Sequence, residues 1–92
     1  MEHGELRREL SKLIAAIERA WKEELGDPEA HTTETARKKA HRLLMQLNRG
    51  ETASIDAPLS ETLGFEWLES HPWASPYVSR IDRGLARMRD KP

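Results

Sequence analysis

Ninety-two residues carry 37% hydrophobic and 34% charged side chains with a formal net charge of −1. That length serves one domain with a modest core, and the near-neutral balance excludes a global field drawing the chain to nucleic acid or anionic lipid. Cysteine is absent, which excludes a disulfide framework and thiolate metal sites and fits a reducing, cytoplasmic setting.

The first element is GELRRELSKLIAAIERAWKEELG, expected as a helix over about 4–25. Leu6, Leu10, Leu13, Ile14, Ile17, Trp21 and Leu25 recur at three- and four-residue steps, laying one apolar stripe along it. Glu5–Arg8, Glu9–Lys12 and Glu18–Lys22 stand at spacings that support a helix. Gly26 is suited to end it in a left-handed conformation. The longest apolar run, LIAAI at 13–17, is far short of the roughly 20 residues that span a bilayer. MEHGELRREL carries charge where a secretory signal is apolar, so no membrane partner is expected.

A second helix is expected over 28–49, opened by Asp27 as cap and Pro28 in the first turn, with Thr32 or Thr33 as later alternatives. Ala36, Ala40, Leu43, Leu44 and Leu47 form its apolar face, Met45 falls off it, and Gly50 is the stop. Each stripe needs cover, so the two helices are expected to pack antiparallel across a short turn.

Residues 51–59 contain Pro58 and no helical period, and read as a loop that Ile55 and Leu59 pin to the helix pair. Ser60 is the expected cap of a short helix over 60–70, ended by Pro72, which disfavours helical geometry at His71. Ser75-Pro76 then opens a last helix over 76–90, with Tyr77, Val78, Ile81, Leu85 and Met88 on one face. No strand, repeat or low-complexity tract is visible. The fold class expected is all-α: one domain over 1–92, a small bundle of two long antiparallel helices and two short C-terminal ones.

Four of the five aromatic residues lie in FEWLESHPWASPY, residues 65–77. A helix as short as 60–70 depends on packing, so Trp67, Trp73 and Tyr77 are expected to close the open end of the helix pair, facing Trp21. Phe65 points nearly opposite to Trp67 on that helix, which leaves core and contact readings both open for it. An exposed aromatic there marks a contact site.

The chemistry-bearing residues form no recognisable site. His3, His31, His41 and His71 are scattered without metal-ligand spacing, the glycines are dispersed, and no serine sits in a nucleophile elbow. Glu61, Glu66 and Glu69 read as a solvated acidic face rather than an acid/base pair. No cofactor, no metal and no enzymatic activity are expected.

Charge is segregated by sign along the chain. Arg37, Lys38, Lys39, Arg42 and Arg49 form a block without acids, and residues 51–70 carry Glu51, Asp56, Glu61, Glu66 and Glu69 without bases. The last helix is basic again, with Arg80, Arg83 and Arg87 on one stripe and Arg89 and Lys91 elsewhere. Either these blocks pair across the fold or they present faces to a partner.

The stretch SPYVSRIDRGLARMR (75–89) resembles the recognition-helix segment of helix-turn-helix regulators and the related segment in region 4 of bacterial sigma factors, through its YVSRI-x-R core and Arg-rich continuation. The resemblance implies Val78 and Ile81 as buried anchors, Ser75, Tyr77, Ser79, Arg80 and Arg83 facing DNA in the major groove, and Trp67 and Trp73 at apolar positions of the first helix and turn. Leu68 stands where that motif has a small residue, Pro72 where it has a glycine, and His71 where it is usually apolar.

The residues together point first to a non-enzymatic regulator, inhibitor or adaptor that binds another protein, and the stripes of the first two helices also suit a homodimer. Phe65, Glu61, Glu66, Glu69, Arg80, Arg83 and Arg87 are its candidate contacts. The alternative is a DNA-binding regulator using 75–89.

Overall fold

The computed structural model describes residues 2–55 and 57–90, with side chains over 4–55 and 57–88. Asp56 and Lys91, and the side chains of His3 and Arg89, fall outside them. The chain folds as α1 (Glu2–Glu23), α2 (Glu29–Asn48), α3 (Leu59–Leu63), α4 (Phe65–Ser70) and α5 (Ser75–Asp90), with single 3-10 turns at Thr52–Ser54 and Pro72–Ala74. The described residues form no strand, and no helix among them is long and apolar enough to cross a membrane.

The two long helices run antiparallel in a bundle that measures 46 Å by 21 and 19 Å. Leu6, Leu10, Leu13, Ile14 and Ile17 of α1 face Ala36, Ala40, Leu43 and Leu47 of α2, all buried. α1 also packs along α5, while α3 packs on both α2 and α5, so four elements surround one core. Leu59, Leu63, Val78, Ile81 and Leu85 fill it from the far side, and Ile55 is buried beside them; Leu59 is the first residue of α3 rather than part of a loop. Where α5 meets α1, a Cβ atom added at Gly84 would lie 2.9 Å from Leu6 Cδ1, the end of a side chain that would have to turn aside.

Several local expectations fail for identifiable reasons. α1 stops at Glu23, and a turn through Gly26 at φ +98° carries the chain away. Leu25 is therefore outside the helix and 59% exposed, and Trp21 is only half-buried, its ring covered by the Arg37 guanidinium 5.6 Å from the centroid. The N-cap position of α2 is Pro28, without a side-chain cap bond, and Thr33 lies buried inside the helix rather than at its start.

The expected helix over 60–70 is two helices, because Gly64 at φ +92° and ψ +142° breaks it. The first piece is capped from a distance. Asp82 of α5 accepts hydrogen bonds from the Leu59 N–H at 2.6 Å and the Ser60 N–H at 3.3 Å, doing the work expected of the Ser60 hydroxyl. The intrahelical pairs Glu5–Arg8, Glu9–Lys12 and Glu18–Lys22 do not close. Among the described residues the ion pairs are Glu34–Lys38, Glu24–His71 and Glu9–Arg80.

Candidate interaction surfaces

One end of the bundle is closed by a polar clasp. Trp67 is 3% exposed, and its indole Nε1–H donates to Thr33 Oγ1 at 3.1 Å, since a buried indole needs an acceptor. The Thr33 hydroxyl in turn donates to Glu24 Oε1 at 2.7 Å, and His71 Nε2 lies 2.9 Å from Glu24 Oε2. His71 Nδ1 stands 3.0 Å from the Trp67 carbonyl and 3.1 Å from Ser70 Oγ. The imidazole stacks on the Trp67 ring at 4.5 Å, and Trp73 meets both rings edge-on at about 6 Å.

Side chains from the end of α1, from α2 and from α4 are thus tied at one point. His71 does sit at a helix end, yet it is a buried member of this network rather than a bystander. Trp67 alone is the plug. Trp73 is 38% exposed, Tyr77 is half-buried, and the face of Trp21 is occupied by Arg37. Glu29 brings its carboxylate near the pair, so donor atoms of Glu24, Glu29 and His71 fall within 4.8 Å of one another. Glu24 and His71 already satisfy each other, and the geometry is that of a structural clasp.

The clasp sets the orientation of α4. With Trp67 anchored inward, Phe65 stands 74% exposed, and Glu66 and Glu69 are exposed with it. Glu61 on the adjoining α3 is exposed as well. This end therefore offers an aromatic knob among carboxylates, and none of Glu61, Glu66 and Glu69 pairs with a described cation. Among the described residues, no ion pair joins the acidic segment to the basic blocks.

The other surface lies between α1 and α5, where a cleft of about 380 Å³ is lined by Leu6, Gly84 and Met88 and by charged residues of both helices. Arg8, Lys12, Arg80, Arg83 and Arg87 are its cations, Glu5 and Glu9 its acids. Glu9 accepts from Arg80 Nε at 3.2 Å, and the same guanidinium lies 5.3 Å from the Tyr77 ring centroid. Arg8, Lys12, Arg83 and Arg87 make no ion pair with any described residue.

Of the residues that the helix-turn-helix resemblance turns toward DNA, Ser75, Ser79 and Arg83 are outward on α5, whereas Tyr77 packs against the core and Arg80 is engaged by Glu9. Val78 and Ile81 are buried. The clasp residues Thr33, Glu24 and His71 were not identified as a group from the sequence. A signal existed in Thr33, which continues the α2 face of Ala36, Ala40, Leu43 and Leu47 one turn toward its start, and a polar residue on a buried face requires a partner. Comparison with protein-family models, with curated proteins and with solved structures gives no match.

Proposed function

We propose that the protein is a non-enzymatic regulator or adaptor that works by binding another protein through the exposed face of α4. Phe65 is the aromatic anchor, and Glu61, Glu66 and Glu69 form an acidic rim that selects a partner with an apolar socket and basic surroundings. The observation that carries this reading is the contrast within one six-residue helix: Trp67 at 3% exposure and Phe65 at 74%. A large ring left in water gives no stability to the monomer. Held on a helix whose opposite side is locked by hydrogen bonds, it loses little freedom on docking.

The test compares wild-type and Phe65→Ser protein as bait in the native host, followed by binding measurements with the purified partner. A central aromatic anchor contributes at least about 2 kcal/mol to an interface, so Kd should rise roughly 30-fold in the variant. A partner captured equally by both proteins overturns the assignment of Phe65. Salt-sensitive binding to duplex DNA that is lost in Arg83→Ala and kept in Phe65→Ser would transfer the function to α5.

A further inference from the structure

The two surfaces are complementary to each other. One is an aromatic ring among carboxylates that no described cation pairs with. The other is a mostly charged cleft in which Leu6 and Met88 are the apolar side chains; its cations outnumber Glu5 and Glu9, and four of them, Arg8, Lys12, Arg83 and Arg87, pair with no described acid. Resting on the α4 reading above, we infer that its partner is a second copy of this chain, and that the α1/α5 cleft receives the Phe65 knob of that copy.

Geometry forbids the contact within one molecule. The cleft lies along residues 5–12 of α1, whereas α4 is tied to Glu24, just past the far end of that helix. Fifteen residues separate Glu9 from Glu24, or about 22 Å at the helical rise. A rigid monomer cannot fold its knob into its own cleft, and a neighbour can supply both. The acidic rim then meets Arg83 and Arg87, and the ring leaves water against Leu6 and Met88. Two copies placed antiparallel make the contact twice; a single contact leaves a free knob and a free cleft for further copies.

Sedimentation velocity from low-micromolar to near-millimolar protein tests this. Wild-type mass should rise with concentration, and added salt should weaken the association because the rims are solvent-exposed charges. Phe65→Glu and the double variant Arg83→Glu/Arg87→Glu each alter exposed side chains, so both should fold, as circular dichroism will verify, and each alone should associate at least tenfold more weakly. Mixed one to one, they should form a heterodimer, because the first keeps an intact cleft and the second an intact knob.

Wild-type protein that stays monomeric over the whole range overturns the inference, as does a mixture that fails to associate. If wild type is monomeric while Phe65→Ser still loses a captured partner, self-recognition is wrong and the α4 reading stands. If the mixture assembles and capture from the host is unaffected by Phe65→Ser, self-association stands and the separate regulatory partner does not.

Discussion

Thr33 Oγ1 stands between a buried indole and a carboxylate, accepting from Trp67 and donating to Glu24. Valine has nearly the same shape and neither capacity. Thr33→Val therefore leaves a buried N–H without an acceptor and a carboxylate oxygen without its donor, a loss of about 1–3 kcal/mol. A urea titration should show a lower midpoint with an unchanged slope, since the core contacts persist. Phe65 is the contrasting residue. Its ring is 74% exposed in the monomer, so Phe65→Ser should alter stability by no more than about 0.5 kcal/mol while it weakens partner binding. The two substitutions separate a residue that holds the fold from one that the fold holds out. Phe65 stood out beforehand because it sits out of phase with Trp67, a spacing that left core and contact readings both open. The partners of Thr33 were not, because Glu24 and His71 lie 9 and 38 residues away along the chain.

Among the elements, α3 and α4 depend most on their surroundings. Five and six residues are too few to sustain helices alone. Gly64 divides them at a φ of +92° that L side chains rarely adopt, although a Cβ there would meet no atom within 4 Å. Gly64→Ala should consequently cost about 1–3 kcal/mol through backbone strain alone. A lower melting temperature in thermal unfolding should report that loss, and with no atom near the added Cβ none of it is steric. Asp82 supplies the other support. Asp82→Ala removes the acceptor for the first N–H groups of α3 and should cost about 1 kcal/mol, within the usual range for a lost cap. Amide exchange should accelerate at Leu59 and Ser60 before it does in α1. Ser60 looked like the cap because it is the nearest suitable hydroxyl in sequence; a carboxylate on α5 is nearer in space.

For the whole molecule, the interface between α1 and α2 is the decisive contact. Leu10, Leu13 and Ile17 are wholly buried in it. Leu13→Ala should cost about 2–5 kcal/mol by lost transfer energy and the cavity left behind. Small domains begin with only about 5–15 kcal/mol, so far-ultraviolet circular dichroism should show a large fall in melting temperature or outright unfolding. The three- and four-residue recurrence of apolar side chains by itself determined the all-α class, the two long helices, their antiparallel pairing and most of their core, because that periodicity is a local property of the backbone. Gly50 marked the end of α2 for the same reason, whereas α1 stops at Glu23, short of Gly26. Only the tertiary structure decided that Trp67 rather than Trp73 enters the core, that Glu24, Thr33 and His71 form one clasp, that Asp82 caps a remote helix, and that no ion pair among the described residues joins the charge blocks. Each of those depends on the distance between residues far apart in the chain, and such distances exist only once the apolar faces have closed on one another.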